Sequence, residues 1–322
     1  MYDAIKNFAK QFSWTPTIEN AARLKKADKF IVAGMGGSNL ATGLIKVWKP
    51  EANIIIHRDY GLPPTSEKTV AERLMIASSY SGGTEETIDA YREAGERGIA
   101  RACMSVGGNL FEMAQRDETP YIRFPATGIQ PRSAIGYSFR ALLALMGEKN
   151  ALTETEALAT DLKTEIYEDK GRELAAKFKE YIPVVYTSAR NHPIGYIWKI
   201  TLNETGKIPA FSNVFPELNH NEMTGFSVAD ANKQLSDRFR FLFLSDQDDH
   251  PQITRRMQVL KMLYESRGLK VDFVEMAGTS PVHKIFATII LGFWTAYYTA
   301  QQYGLDAEEV PMVEEFKKMI AH

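Results

Sequence analysis

The chain has 322 residues, 44% of them hydrophobic, which is enough to bury a large core in two similar domains. Its 38 Lys and Arg residues oppose 40 Asp and Glu residues in an interspersed pattern, so no basic stripe indicates a nucleic-acid partner. No run of 18 apolar residues predicts a membrane span, and the N-terminal residues lack the apolar core of a signal peptide. The single cysteine, Cys103, precludes an intrachain disulfide and is expected to be a small buried hydrophobe. Together these features predict a cytoplasmic protein.

The first half of the chain alternates short apolar runs with segments of helical periodicity. An amphipathic pattern over residues 1–28 predicts a lead-in helix that packs on the first domain. Strands are predicted at 30–33, 53–57, 74–78, 100–106 and 121–124. Because these runs are continuously apolar, we expect a parallel sheet with helices on both faces.

The same order of elements restarts in the second half. Strands are predicted at 182–186, 209–213, 239–244 and 270–275, before a long helix over 280–303. We therefore predict an α/β protein with two doubly wound parallel sheets. The first domain is expected over 1–150, a helical connection over 151–175, and the second domain with C-terminal helices over 176–322.

A glycine-rich turn follows the first predicted strand. Residues 34–39 read GMGGSN, in which glycines allow a close approach of the backbone to a ligand. We expect Ser38 or Asn39 to cap the helix that follows, whose free N–H groups favour an anion. The turn has neither the dinucleotide-binding spacing of glycines nor the Lys-Ser/Thr pair of a P-loop.

A second such turn follows the strand at 74–78. Residues 79–87 read SYSGGTEET, and the hydroxyls of Ser79, Ser81 and Thr84 are dense for a turn with a purely structural role. Hydrogen bonds to a charged partner contribute roughly 1.5–3 kcal/mol each, so several of them hold a phosphate without Lys or Arg. Two such turns at the ends of neighbouring strands predict one phosphate pocket.

Three further stretches place polar residues where a core does not require them. They are QPRS with Arg132, LNETGK with Glu204 and PELNHNE with His220. Taken singly, Arg132 is typical of a solvated loop and Glu204 of a helix surface. The histidines lack metal-ligand spacing and there is one cysteine, so neither a metal site nor another cofactor is predicted.

These motifs resemble a known family. GMGGSN and SYSGGTEET, each after a strand, resemble the phosphate-binding signature of the sugar isomerase (SIS) domain. LNETGKIPAF, PELNHNE, DDHPQI and the closing GFWTAYYTAQQYGLDAEEV and FKK resemble the bifunctional phosphoglucose/phosphomannose isomerase family. The resemblance extends from about residue 29 to the C-terminus and implies two SIS domains of flavodoxin-like type.

The resemblance also implies roles for individual residues. The phosphate and sugar are expected to bind at Gly36, Gly37, Ser38, Ser79, Ser81 and Thr84. Arg132 is expected to stabilise negative charge and Glu204 to transfer the proton. His220 is expected to open the sugar ring of the neighbouring subunit, which implies a homodimer, with help from Lys317 or the adjacent Lys318.

The activity that the resemblance implies is the interconversion of glucose 6-phosphate, and with it mannose 6-phosphate, with fructose 6-phosphate through a cis-enediol. Such chemistry needs a proton shuttle for ring opening and a carboxylate that moves a proton between C2 and C1. An isomerase of another sugar phosphate and a non-catalytic sugar-phosphate sensor are the alternatives. A sensor would not need Glu204, His220 and Arg132 together.

The chain departs from the family pattern at two places. Val282-His283-Lys284 replaces an expected Leu-Ala-Arg run, and residues 306–310 read DAEEV where DPTPV is expected. The first change is expected to move a charge at the subunit interface. The second removes a threonine from the pocket wall where C2 epimers are distinguished, so both bear more on the mannose reaction than on the glucose reaction.

Overall fold

The computed structural model describes residues 1–320, which form two compact units. One unit is Lys6–Leu162, and the other comprises the chain from Lys163 onward together with Met1–Ile5. The boundary therefore falls inside the helical connection expected over 151–175, and the first five residues belong to the C-terminal unit. They are held there because the Met1 ammonium pairs with Glu308 at 2.9 Å and the Tyr2 ring packs edge-on against Trp294.

Strands and helices alternate through both units. The strands are β1 (Ile18–Glu19), β2 (Lys29–Ala33), β3 (Asn53–His57), β4 (Leu74–Ser78), β5 (Arg101–Ser105), β6 (Tyr121–Arg123), β7 (Ile182–Ser188), β8 (Phe211–Phe215), β9 (Phe239–Asp246) and β10 (Lys270–Met276). The helices are α1 (Tyr2–Lys6), α2 (Leu40–Trp48), α3 (Glu67–Ala71), α4 (Glu85–Glu96), α5 (Gly108–Arg116), α6 (Ile135–Leu145), α7 (Lys149–Glu156), α8 (Leu158–Asp161), α9 (Glu168–Phe178), α10 (His192–Glu204), α11 (Glu222–Gly225), α12 (Pro251–Glu265), α13 (Pro281–Gln302) and α14 (Pro311–Ile320). Single 3₁₀ turns precede α2, α6 and α11 at Gly36–Asn39, Pro131–Ser133 and Glu217–His220.

The sheet of the N-terminal unit has the strand order β1-β6-β5-β4-β2-β3. All neighbours are parallel except β1, which pairs antiparallel with β6. Without β1 the order is that of flavodoxin-like folds, in which the direction of winding reverses between the first and third strands. Here that reversal lies between β2 and β4, the two strands that the glycine-rich turns follow.

The sheet of the C-terminal unit has the order β10-β9-β7-β8, and every pair is parallel. The winding reverses between β7 and β9 in the same way. Both predicted doubly wound sheets are therefore confirmed, and the fold is of the SIS type. Within residues 1–320, no helix is both long and apolar enough to cross a membrane.

The N-terminal segment differs from the single helix expected over residues 1–28. Helix α1 is followed by a 3₁₀ segment at Phe8–Ser13 and by the short strand β1. Pro16 restricts the residue before it to extended conformations, and Asn20 has a left-handed φ of 54°. Both features end helical propagation, although the buried Phe8 and Phe12 keep the expected apolar face.

Candidate functional site

The first glycine-rich turn lies at the reversal point of the N-terminal sheet. Gly36 has a φ of 47°, in the left-handed region that favours glycine. A Cβ atom at Gly34 would lie 2.6 Å from the carbonyl oxygen of Ser78 at the end of β4. This turn therefore packs directly on the strand that leads into the second turn.

Gly37 provides a second close approach. A Cβ atom at this position would lie 2.8 Å from the backbone nitrogen of Arg132 and 2.9 Å from the carbonyl carbon of Pro131. Only glycine leaves room for the two backbone segments at this separation. The 3₁₀ turn that carries Arg132 is thereby held against the first glycine-rich turn.

Ser38 joins the two glycine-rich turns to each other. Its Oγ accepts a hydrogen bond of 2.9 Å from the backbone N–H of Tyr80, and its carbonyl oxygen accepts one of 2.5 Å from the Ser78 hydroxyl. Toward Tyr80 the Ser38 Oγ therefore acts as an acceptor. The expected cap is absent, because neither Ser38 nor Asn39 caps α2 with its side chain.

Asn39 has a different role from the one the sequence indicated. The side chain is fully buried, and its Nδ2 donates to the carbonyl oxygens of Gly34 at 2.9 Å and His57 at 3.1 Å. These bonds tie the first turn to the ends of β2 and β3. Sequence reasoning missed this function because both acceptors are backbone atoms, which leave no trace in a motif.

Ser79 organises the second turn from within. Its side chain is 0% exposed, and its Oγ accepts from the N–H groups of Gly82 at 3.1 Å and Thr84 at 3.4 Å. It also lies 2.8 Å from the Thr84 hydroxyl. The Ser79 oxygen thus closes the turn and leaves the half-buried Thr84 at its surface.

Ser81 lies at the exposed outer side of the same turn. Its Oγ accepts from the Gly83 N–H at 3.3 Å. Gly82 has a φ of 73°, and a Cβ atom there would lie 1.7 Å from the carbonyl oxygen of Gly107. The second turn is therefore closely packed, with Ser81 exposed and Thr84 half-buried.

Arg132 is buried although it lies in a loop, with 3% of its surface exposed. The backbone around it is fixed on one side by Gly37 and on the other by the Gln11 amide, which donates to the Ser133 carbonyl at 2.7 Å. Burial of a guanidinium group is costly unless it is paired, so its position here is specific. The structure thus gathers seven of the predicted residues in one unit: Gly36, Gly37, Ser38, Ser79, Ser81, Thr84 and Arg132.

Glu204 is the last residue of α10, in the C-terminal unit, and is half-buried. Helix α10 begins at His192-Pro193, where the proline occupies the first turn as expected. The Lys207 ammonium donates to the Glu204 carbonyl at 2.6 Å and also to the Glu309 carbonyl. Lys207 therefore fixes the C-terminal end of the helix that carries Glu204.

The PELNHNE turn, residues 216–222, follows β8 in the same unit. The Asn221 Oδ1 accepts from the Glu222 N–H at 2.6 Å, while its Nδ2 donates to Glu217 at 2.8 Å. The Arg256 guanidinium donates to the Asn219 Oδ1 at 3.3 Å. The turn is thus held by its own polar side chains and by Arg256 of α12, and the His220 side chain is exposed.

Lys317 lies on α14, none of whose residues is buried. Its ammonium pairs with Glu314 one turn earlier at 2.8 Å, and its side chain is 62% exposed. Lys318 follows on the same exposed helix. The choice between these two lysines stays a prediction.

The corresponding reversal point of the C-terminal unit is filled by an ionic network. The buried Lys284 donates to Asp246 at 2.5 Å and to Asp248 at 2.6 Å. The Lys284 hydrogen bond lowers the pKa of Asp248, whereas burial raises the pKa of Asp249, which accepts from Ser188 at 2.8 Å. The departure at Lys284 therefore places its charge in an internal cluster of its own unit.

No group of three or more His, Cys, Asp or Glu side chains within residues 1–320 is disposed to hold a metal ion. Cys103 is buried, as expected, and burial raises the pKa of its thiol to about 12. It is therefore inert as a nucleophile near neutral pH. The predicted site residues therefore offer hydroxyl and backbone hydrogen-bond donors, the guanidinium of Arg132, the carboxylate of Glu204 and the imidazole of His220.

Comparisons with known proteins agree with this reading of the fold. A family model described as the bacterial phospho-glucose isomerase C-terminal SIS domain matches residues 167–320. A putative phosphosugar isomerase from Clostridium difficile 630 has a structure with a TM-score of 0.69 at 15% identity, over 100% of this chain and 95% of its own. That likeness concerns the fold alone.

Similarity at the sequence level identifies the family. The bifunctional phosphoglucose/phosphomannose isomerase of Caldicellulosiruptor bescii is 32% identical over 100% of this chain and 98% of its own length. That of Aquifex aeolicus is 30% identical over 99% of this chain and 97% of its own length. The chain therefore belongs to the bifunctional phosphoglucose/phosphomannose isomerase family.

Proposed function

We propose that this protein is an aldose–ketose isomerase that interconverts glucose 6-phosphate and mannose 6-phosphate with fructose 6-phosphate. The observation that carries the proposal is the hydroxyl-lined cradle formed by the two turns that Ser38 joins. It lies outside the carboxyl ends of β2 and β4, where doubly wound sheets bind their ligands. Membership of the family supports the same activity.

In the proposed mechanism the phosphate is held by the hydroxyls of Ser38, Ser81 and Thr84, while Gly36 and Gly37 let the backbone approach the reacting carbons. Hydrogen bonds to a charged acceptor are roughly twice as strong as those between neutral groups. Ser79 supports this cradle because its oxygen closes the second turn. The phosphate thus anchors the sugar while its reacting carbons remain available.

Isomerisation then needs two proton transfers and the stabilisation of a negative charge. His220, helped by Lys317, moves the proton that opens the sugar ring, a role suited to a group that ionises near neutral pH. Glu204 moves a proton between C2 and C1 of the open chain through a cis-enediolate. Arg132 stabilises the negative charge on the enediolate oxygens.

The active form is proposed to be a cytoplasmic homodimer in which His220 completes the site of the neighbouring subunit. Support comes from the exposure of His220 on a turn whose other polar side chains bond within the unit. A dilution series tests this part. Full activity from a stable monomer would contradict it, whereas activity that is lost as the dimer dissociates is expected.

A coupled assay of fructose 6-phosphate formation from glucose 6-phosphate and, separately, from mannose 6-phosphate tests the activity itself. We expect turnover with both substrates. Turnover with glucose 6-phosphate alone would restrict the activity to the glucose reaction, as the two departures from the family pattern allow. Absence of turnover with either would overturn the proposal in favour of another sugar phosphate or a sensor.

A further inference from the structure

The turn that carries His220 is clamped to the sheet by a carboxylate two residues away. One oxygen of Glu222 accepts the Tyr186 hydroxyl, and the other accepts the Asn213 side-chain amide. Tyr186 on β7 and Asn213 on β8 are direct partners in the parallel ladder. The two donors therefore stand side by side, at the spacing of one strand, and match the two oxygens of one carboxylate.

The Tyr186 side of the clamp is rigid. The residue is fully buried, and its ring stacks on Phe243 with centroids 5.4 Å apart and meets Phe215 edge-on at 5.9 Å. Burial, followed by the nearby negative charges, strongly raises the pKa of Tyr186, so the hydroxyl keeps its proton and remains a donor. Because the Tyr186 ring is packed in an aromatic core, its hydroxyl has a fixed position. The hydrogen bond from this hydroxyl therefore fixes the carboxylate of Glu222.

The remaining polar side chains of the turn are engaged elsewhere: Asn221 bonds within the turn to Glu217 and the Glu222 N–H, and Asn219 accepts from Arg256 of α12. His220 differs from them. Among residues 1–320, no hydrogen bond to its imidazole ring is formed, and the side chain is exposed. The turn is thus built to hold one uncommitted imidazole in a defined place.

We propose that Glu222 is a positioning residue which, through Tyr186 and Asn213, fixes the turn so that the His220 imidazole is presented for proton transfer. This inference rests on the proposed function, in which His220 opens the sugar ring. Misplacement of a reacting group by about 1 Å can reduce a rate 10²-fold, so a clamp on the backbone next to His220 bears directly on ring opening. Glu222 itself need not touch the substrate.

Tyr186→Phe tests the clamp with little change of shape. The variant keeps the buried ring and removes one of the two donors to Glu222. We expect kcat for glucose 6-phosphate to fall about 10–100-fold, while KM stays within about twofold because the phosphate cradle is untouched. Tyr91→Phe is the matched control, since it also removes a buried hydroxyl donor, to Thr119 at 2.8 Å, and should leave kcat unchanged.

A double-mutant cycle separates positioning of His220 from a general structural role. If Glu222 acts through His220, Tyr186→Phe should cause no further loss of kcat in a His220→Ala background. A further loss equal to that in the wild-type background would overturn the inference and leave the proposed function intact. Wild-type kcat in His220→Ala alone would instead remove His220 from the mechanism, and the positioning role with it.

A second measurement does not depend on activity. In Glu222→Gln an NH₂ group replaces one of the two carboxylate oxygens. This group is a donor and cannot accept a hydrogen bond from Tyr186 or Asn213, so one contact of the clamp should be lost. We expect amide hydrogen exchange over residues 216–222 to become at least about tenfold faster, with β7 unchanged. Unchanged exchange in the turn would contradict the clamp.

Discussion

Gly37 and Arg132 approach each other so closely that a Cβ atom on the glycine would lie 2.8 Å from the arginine backbone nitrogen. The contact joins a glycine-rich turn that follows β2 to a 3₁₀ turn that precedes α6. Neither segment can shift alone, because Ser38 is bonded to the end of β4 and the Ser133 carbonyl to Gln11. The position of Arg132 thus depends on the absence of a side chain at residue 37.

Gly37→Ala is therefore expected to displace the backbone of Arg132. The added methyl group meets backbone atoms, which yield less than flexible side chains, and overpacking of this kind costs roughly 1–3 kcal/mol of folding free energy. We expect kcat/KM for glucose 6-phosphate to fall at least about tenfold, as Arg132 loses its alignment. Steady-state kinetics and thermal unfolding of the variant measure both effects.

Gly107→Ala is the control for this prediction. Gly107 lies in the same unit with an extended φ of 179°, and a Cβ atom there would have no neighbour within 4 Å. Its kinetics should match those of the wild type. If Gly37→Ala did likewise, close packing at Gly37 would have no part in placing Arg132.

Ser38→Ala should weaken both the fold of the cradle and the binding of phosphate. It leaves the Tyr80 N–H without its acceptor, at a cost of about 1–3 kcal/mol in unfolding free energy. Loss of a hydrogen bond to a charged group should raise KM for glucose 6-phosphate about 10–100-fold. Denaturant unfolding and initial-rate kinetics check the two effects.

The comparison for Ser38 is Ser13→Ala, which removes an exposed hydroxyl that donates to the nearby Lys10 carbonyl at 2.8 Å. This variant should change neither the unfolding free energy nor KM for glucose 6-phosphate. A Ser38→Ala enzyme with a wild-type KM would show that the two turns do not hold the phosphate through this hydroxyl.

Much of the fold could be predicted from sequence, because buried parallel strands leave a strong local signal. Each residue of β4 is buried, so its apolar run marked both of its ends correctly. The segment before β2 could not be predicted in this way. Its amphipathic pattern is genuine, but Pro16 and the left-handed Asn20 break it into short pieces.

The site shows the same division between local and tertiary information. The sequence indicated which hydroxyls gather in the turns, but it could not show that the Ser79 oxygen is turned inward to close its own turn. Asn39 was expected to cap α2, yet the carbonyl oxygens of Gly34 and His57 bind its amide instead. One acceptor, His57, ends another strand, so only the folded chain reveals the contact.

Asp272→Asn should reduce stability in a pH-dependent way. Burial alone raises the pKa of Asp272, but hydrogen bonds from Arg240 at 2.6 Å and Lys177 at 3.0 Å outweigh it, so the pKa is lowered. The charged carboxylate therefore stabilises the folded chain above the unfolded-state pKa of about 3.9, and this contribution is lost as the pH falls through the lower folded value.

At pH 7 we expect the Asp272→Asn variant to lose roughly 1–3 kcal/mol of unfolding free energy, and the difference from wild type to shrink below about pH 4. Urea unfolding of both proteins at several pH values measures this difference in unfolding free energy. Asp169→Asn removes an exposed ion pair with Arg172 and should have little effect at any pH. A difference at Asp272 that is constant with pH would mean that its charge is not what matters.

Cys103 should resist alkylation in the folded protein. Its thiol is buried and its pKa is raised to about 12, so almost no thiolate is available near pH 8. We expect iodoacetamide to modify Cys103 only after denaturation. Mass spectrometry of the native and the denatured protein measures the extent of modification. Rapid labelling of the native protein with loss of activity would contradict the structural role of Cys103.

Glu204→Gln should separate binding from chemistry. The amide keeps the size of the side chain at the end of α10 but cannot accept and return a proton, so turnover should fall by at least about 10²–10⁴-fold. Binding of glucose 6-phosphate, measured by calorimetry, should stay within about threefold of wild type, because the phosphate cradle belongs to the turns after β2 and β4. Glu173→Gln, an exposed glutamate on α9 of the same unit, gives the control for loss of a carboxylate. Retained isomerisation in Glu204→Gln would remove this residue from the proton transfer, whereas joint loss of binding and turnover would assign it to substrate binding.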